Sequence, residues 1–276
     1  MIKPKKVGIV TRFDDPKKFK MAMNIADIIE GMVEIVPDIK AITEIDLEKY
    51  WIDYMDADLI ICIGGDGTIL RTLQLSSEQI PILGVNMGTV GFLADIKPEE
   101  ATRVIEDALV GFETESKARL VIGIDGERLP YAMNEAVVLT SRPAKILRFT
   151  ILIDGSELET LRADGVVFAT PTGSTAYAMS AGGPIVDPRV DATIIVPLAP
   201  YKLAARPSVV PAESEILLKL HEAKEATIVI DGQYNREISR DEVITITKSK
   251  MPALFVKTDK TFFYKVRNKL VLSDTI

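Results

Sequence analysis

The chain has 276 residues, 47% of them hydrophobic and 26% charged, with a formal net charge of -7. That gives room for one large domain or two with a full core, and the acidic balance argues against broad nucleic-acid binding, which rests on neutralising phosphates. Cys62 is the single cysteine and His221 the single histidine, so intrachain disulfides are excluded and any histidine-built zinc site or Ser-His-Asp triad would hang on one residue. In chain order, "KVGIVT" predicts a short buried strand, and "DDPKKFKMAMNIADIIEGM" a helix with Asp15 as N-cap and Pro16 in its first turn. Phe19, Ala22, Ile25 and Ile29 fall on one face of that helix. "VEIVP" predicts a second strand and "DLEKYWIDYM" a short helix. "ADLIICIGG" is a continuous apolar run of the kind buried on both faces of a parallel sheet, with Cys62 as a small core residue inside it. A helix opening at "DGTILRTLQLSS", a strand "IPILGVN" and a helix "KPEEATRVIEDALVG" complete an alternation that means a parallel sheet with covering helices.

Beyond residue 112 the pattern turns to strands joined by turns. Asp-Gly pairs begin at residues 125, 154 and 231, each after an isoleucine, and such pairs favour the positive backbone angles of hairpins. The expected architecture is a Rossmann-like α/β domain over residues 1–111, an all-β domain over 112–250, and a tail, 251–276, that packs back on the first domain with "TFFYKVRNKL" as a short helix. His221 falls in a charged connection and reads as solvated surface. No secretory signal precedes the first strand. The longest uncharged run, residues 165–186, carries too much Pro, Gly, Ser and Thr to be a membrane span. A cytoplasmic location without membrane attachment is expected.

Four stretches carry chemistry. "GGDGT", Gly64 to Thr68, sits between a buried strand and a helix. Two readings stand open there: a tight turn in which Asp66 caps the helix, or a loop whose glycines let the backbone approach a phosphate at a helix N-terminus. It is neither a Walker A loop nor a GxGxxG fingerprint. Arg71 lies on the first turns of that helix, placed for a phosphate or for solvent. "GVNMGTVGFL" is a second glycine-rich strand exit, with Gly88 and Gly91 for sharp turning and Asn86 for backbone hydrogen bonds. Ligands of open α/β sheets bind beyond such strand ends. Asn134 and Glu135, taken alone, read as a polar pair on an edge strand. In "RADGVVFATPTGSTAYAMSAGGP", hydroxyls and amides crowd the start of a helix of about two turns. Tyr177 stands ready there to cover a base.

Together these residues resemble the NAD kinases. The resemblance rests on "GGDGT", on the Asn134-Glu135 pair, on residues 164–186, and on "LAPYKLAARPSVV" and "DGQ", in the right order over nearly the whole chain. GGDG also occurs in diacylglycerol, sphingosine and phosphofructo-kinases, so a lipid or sugar kinase is the alternative; the Thr-Pro-Thr-Gly-Ser-Thr-Ala-Tyr string discriminates. The resemblance implies phosphoryl transfer from ATP, or in some members polyphosphate, to the 2′-hydroxyl of the adenosine ribose of NAD, yielding NADP. It implies Asp66 as acceptor of the hydroxyl proton, Gly64, Gly65, Gly67 and Thr68 as the phosphate loop, and Arg71 near the diphosphate. It further implies Asn134, Glu135, Arg162 and Asp164 as NAD ligands, with Asp164 towards the nicotinamide. Thr172, Thr175, Ala176, Tyr177, Ala178, Met179 and Ser180 would form the adenine and ribose wall, joined by Gln233 and Lys145. Dimers or tetramers are implied, with a neighbouring subunit completing the site. Mg²⁺ would arrive with ATP, since no dedicated metal cage is readable. The choice between NAD and NADH stays open.

Overall fold

A computed structural model describes residues 1–12, 14–36, 56–75, 79–88, 91–142, 145–202, 204–221 and 226–271. The elements run β1 (Lys6–Thr11), α1 (Pro16–Ile29), β2 (Glu34–Ile35), β3 (Leu59–Gly64), α2 (Asp66–Leu75), β4 (Ile82–Asn86), α3 (Pro98–Val110) and β5 (Thr114–Lys117). Then come β6 (Leu120–Ile124), β7 (Glu127–Arg128), β8 (Glu135–Thr140), β9 (Leu147–Ile153), β10 (Ser156–Ala163) and β11 (Gly165–Ala169). A 3₁₀ turn (Thr172–Thr175) leads into the single-turn α4 (Tyr177–Ser180), followed by β12 (Ala192–Leu198), β13 (Ser208–Pro211), β14 (Ile216–Leu220), β15 (Ala226–Ile230), β16 (Tyr234–Ile238) and β17 (Val243–Lys248). The last elements are β18 (Ala253–Val256), α5 (Phe262–Val266) and a π-helical turn (Arg267–Val271). The helix expected over 46–55 lies outside the described residues.

The chain divides into two compact units, Met1–Ser116 with Ala253–Ile276, and Lys117–Pro252. The first unit's sheet has the order β2-β1-β3-β4-β18-β5, with β1, β2, β3, β4 and β18 mutually parallel. The Asp15 carboxylate caps α1 through the Lys17 and Lys18 amides, and Ala22, Ile25, Ala26 and Ile29 bury its inner face. β3 is buried along its full length. Burial pushes the Cys62 thiol up to about 12, so it is an inert core group. The boundary falls five residues later than the expected 111, because β5 joins this sheet beside β18 rather than opening the second unit. Pairing with a strand from the far end of the chain leaves no local trace in the composition around 112.

The second unit is two antiparallel sheets, β10-β9-β14-β17-β6-β7 and β13-β12-β11-β8-β15-β16. Their inner faces share one core, with Ile122, Phe149, Leu218 and Ile246 from one sheet against Val138, Val166, Phe168 and Ile228 from the other. β11 shows no alternation because both its faces are covered: Val167 and Ala169 point to a second, smaller core closed by Ala178 of α4. All three Asp-Gly turns take the positive angles expected, with Asp125 at φ 49°, Asp154 at 51° and Asp231 at 51°. His221 is exposed but not merely solvated. Its Nε2 lies 2.6 Å from Thr150 Oγ1, in a chain continuing to Thr160 and Glu157. No helix among the described residues is long and apolar enough to cross a membrane.

Candidate active site

The carboxylate of Asp66 settles the first of the two open readings. Asp66 is the first residue of α2, yet its side chain does not serve its own helix. Oδ2 accepts from the Phe92 amide at 2.7 Å, and Oδ1 from the Leu93 and Ala94 amides at 3.1 and 2.9 Å. Three of its roughly four lone-pair directions are therefore occupied, and the second direction on Oδ2 is the one that no amide fills. The two glycine-rich exits are thus one structure. The exit from β3 supplies the carboxylate and the exit from β4 supplies the amides. Gly91 is required at the join, because a Cβ there would stand 2.8 Å from Asp66 Oδ1 and 2.7 Å from the Ala94 carbonyl. Asn86 makes the expected local bond, accepting from the Gly88 amide at 2.8 Å. By contrast, a Cβ on Gly65 or Gly67 would meet no described atom within 4 Å, and neither has a positive φ. The fold itself does not demand glycine at these two positions. Arg71 is exposed on α2.

In the second unit, Asn134 and Glu135 are not on an edge strand. Glu135 begins β8, which lies between β11 and β15, and both residues are buried. What buries them is the hydroxyl-rich loop after β11. Thr170 donates its hydroxyl to the Met133 carbonyl at 2.7 Å and its amide to the Asn134 carbonyl at 2.9 Å. Gly173 presses so close that a Cβ would fall 2.0 Å from the Asn134 oxygen. From the other side Asp231 clamps the same backbone, accepting from the amides of Met133 at 2.7 Å, Asn134 at 2.8 Å and Glu135 at 3.0 Å. Its own amide returns a bond to the Glu135 carbonyl.

The result is a strained electrostatic setting. Burial first, then the charge of Asp231, push the Glu135 carboxyl up to about 7, against the pull of the Tyr177 amide that bonds it. Burial also raises Asp231, to about 6, although its three amide bonds oppose the shift. Glu135 Oε2 is buried and has no hydrogen-bond partner among the described residues. A buried acceptor left unpaired costs roughly 1–3 kcal/mol, a cost that a ligand donor would remove. Asp231 escaped the sequence reading, which took the Asp-Gly pair as a turn. Its only signal was that this pair, unlike those at 125 and 154, is followed by Gln.

The remaining expected residues fall in two groups at opposite ends of β11. At its C-terminal end, Thr172 and Thr175 are buried, Ala176 and Met179 half-buried, and Tyr177 and Ser180 exposed. Ala178 is wholly buried, its methyl serving the core rather than an open surface. The helix here is one turn, not two, preceded by the 3₁₀ turn. Gln233 is exposed, two residues past Asp231. At the N-terminal end of β11 stand Arg162 and Asp164, both exposed. Lys145 precedes β9, whose Leu147 pairs with Ala163, so it belongs to this end too. Five residues at about 3.3 Å per step separate the ends by roughly 13 Å. Tyr201, to which no role was assigned from sequence, belongs to the second group: its ring centre lies 5.5 Å from the Arg162 guanidinium, and its amide bonds the Arg162 carbonyl.

The site features thus divide between a parallel α/β unit with a glycine-flanked aspartate and a β-rich unit holding a buried glutamate under a hydroxyl-rich loop. Comparisons with known proteins make the assignment specific. Residues 7–111 match the ATP-NAD kinase N-terminal domain, and residues 133–258 the ATP-NAD kinase C-terminal domain. The chain is 48% identical over 272 residues to the NAD kinase of Methanothermobacter thermautotrophicus, covering 96% of each chain. It is 46% identical over 271 residues to that of Methanosarcina acetivorans, covering 96% of this chain and 98% of the relative. A crystal structure of an NAD kinase from Archaeoglobus fulgidus in complex with ATP superposes with a TM-score of 0.80 at 34% identity, covering 95% of this chain and 98% of that one. Yeast NADH kinase complexed with NADH shares the fold, with a TM-score of 0.86 at 24% identity over 99% of this chain and 89% of that one. The chain belongs to the NAD kinase family.

Proposed function

We propose that this chain transfers a phosphoryl group from ATP to the 2′-hydroxyl of the adenosine ribose of NAD, giving NADP and ADP. The observation that carries this reading is the unpartnered, buried oxygen of Glu135 beneath the Thr172–Tyr177 loop, in a chain whose full-length relatives are NAD kinases. Glu135 accepts hydrogen bonds from ribose hydroxyls, Asn134 and the loop hydroxyls orient the nucleotide, and the exposed ring of Tyr177 covers the base. The matches give the lipid or sugar kinase alternative no support.

Asp66 is the acceptor of the hydroxyl proton. Three amides hold its carboxylate in one orientation and leave one lone-pair direction of Oδ2 for the substrate. The 2′-oxygen attacks the γ-phosphorus, the bond to the β–γ bridging oxygen breaks, ADP leaves, and the proton passes to Asp66. A carboxylate is in general a poor base for an alcohol in the ground state. In a loose transition state the proton need leave only late, so the main work of Asp66 is to aim the hydroxyl. Gly65 and Gly67, which the fold does not require, keep side chains away from the phosphates, with Gly64, Thr68 and Arg71 beside them. Among the described residues no group of three or more metal-binding side chains stands together. Mg²⁺ would accompany the donor, held largely by its phosphates and water, and would supply charge neutralisation there.

The second group, Arg162, Asp164, Lys145 and Tyr201, lies a strand length from Glu135. This favours a homo-oligomer, a dimer or tetramer, in which that end of one subunit completes the pocket of another. Gln233 joins the Glu135 end. The enzyme works in the cytoplasm, with polyphosphate as the other candidate donor. The test is purified protein with NAD, Mg²⁺ and either ATP or polyphosphate, scored by a dehydrogenase strictly dependent on NADP. NADP should accumulate with ATP, and a parallel arm with NADH fixes acceptor choice. No NADP with any donor would sink the proposal.

A further inference from the structure

The three amides that hold Asp66 are themselves held from outside their loop. Asp95 follows them directly in the chain, and its side chain is only 7% exposed. Lys265 of α5, 9% exposed, places its Nζ 2.5 Å from Asp95 Oδ2. Thr258 donates to the same oxygen at 3.1 Å. Lys260 donates to the Asp95 carbonyl at 2.8 Å and to Glu100 Oε2 at 2.6 Å. On the other flank, the Ile96 carbonyl takes the Asn86 amide at 2.8 Å. Residues 92–96 are therefore pinned between the exit of β4 and the C-terminal segment, and the buried pair is the pin with the highest stake, because a buried charge tolerates no loss of its partner.

We propose that Lys265 is a positioning residue for phosphoryl transfer: through Asp95 it fixes the Phe92, Leu93 and Ala94 amides, and through them the direction of the Asp66 carboxylate. The inference rests on the reading of Asp66 given above. Lys265 touches no substrate. Its effect is on how long the carboxylate spends aimed, so it belongs in kcat rather than in NAD binding.

Lys265→Met alone leaves the Asp95 charge buried without its ion-pair partner and risks misfolding, so the decisive variant is the full chain with Asp95→Asn and Lys265→Met together, which removes both charges. Three measurements apply: thermal melting, hydrogen exchange of the 92–94 amides, and steady-state kinetics with NAD. The double variant should melt within a few degrees of the parent, with 92–94 exchange about 10-fold faster. Its kcat should fall about 10-fold while KM for NAD moves by less than about 2-fold. Lys265→Arg, which keeps the charge, should leave both readouts close to the parent values. If either exchange or kcat stays at the parent value in the double variant, the proposal is overturned. Asp66→Asn is run in parallel. Its loss of turnover beside an unmoved double variant means that the pin alone has failed, whereas full turnover of Asp66→Asn means that the reading of Asp66 has failed.

Discussion

Asp66 and Asp231 perform the same act in different units of the molecule. Each sits in a glycine-containing turn at the end of a strand, and each accepts three consecutive backbone amides from another segment: 92–94 for Asp66, 133–135 for Asp231. They differ in surroundings. Asp231 is 5% exposed, and burial drives its carboxyl up to about 6. Asp66 is half-buried, beside glycines with open space around them. On the reading proposed above, the same motif is an anchor where it is sealed and a reactive group where one edge stays accessible. The amide count alone distinguishes nothing; burial decides.

The largest expected effect breaks the reactive member. Asp66→Asn keeps the shape but offers one acceptor oxygen in place of two, so it loses the charge and loosens residues 92–94. Turnover should fall by about 10³-fold or more, with NAD affinity changed by less than about 3-fold, as measured by NADP formation and calorimetric titration. Unchanged turnover would make the two aspartates equivalent anchors. Asp231→Asn breaks the anchor. It turns an amide group against backbone donors and should cost about 2–3 kcal/mol of stability in a denaturant titration, while weakening NAD binding through Glu135.

A smaller effect sharpens the comparison through pH. The folded-state pKa of Glu135 is raised from 4.5 to about 7, so the native state holds a proton that the unfolded chain has released. Stability is therefore lost as pH rises from about 4.5 to about 7, and is flat above that. Full ionisation corresponds to a penalty of about 3 kcal/mol. Glu135→Gln lacks this penalty. Its melting temperature relative to the parent should rise between pH 5 and pH 8, while its NAD affinity drops about 10-fold. A parallel pair of pH profiles would remove the electrostatic account of Glu135.

Much of the fold was legible because it is local. Ile-Asp-Gly marks hairpin turns wherever it falls, and the Asp15-Pro16 cap of α1 needs only its own turn. The glycines, hydroxyls and acids of the site were legible as residue types. Their partners were not. Asn134 and Glu135 looked like an edge pair because the loop that buries them starts at Thr170, and the strands that flank β8, β11 and β15, are likewise distant in sequence. Asp66 stayed open to the helix-cap reading because the amides it holds lie 26 to 28 positions away. β5 could not be assigned to the first sheet without β18. Each miss is a non-local contact, and the composition of a window does not encode its partner.

That same separation sets a timetable for synthesis. Thr258 and Lys260 meet Asp95 across 163 and 165 positions, and at about 5–20 residues per second the ribosome needs roughly 10–30 s to make the intervening chain. Until then the first sheet lacks two of its strands and the Asp66 loop lacks its brace. If that brace acts as proposed, a nascent chain carries its glycine loop and its aspartate early but holds them in working order only once nearly all of it has been translated. Premature termination yields an unfinished sheet, without β18 or the β5 strand that pairs with it.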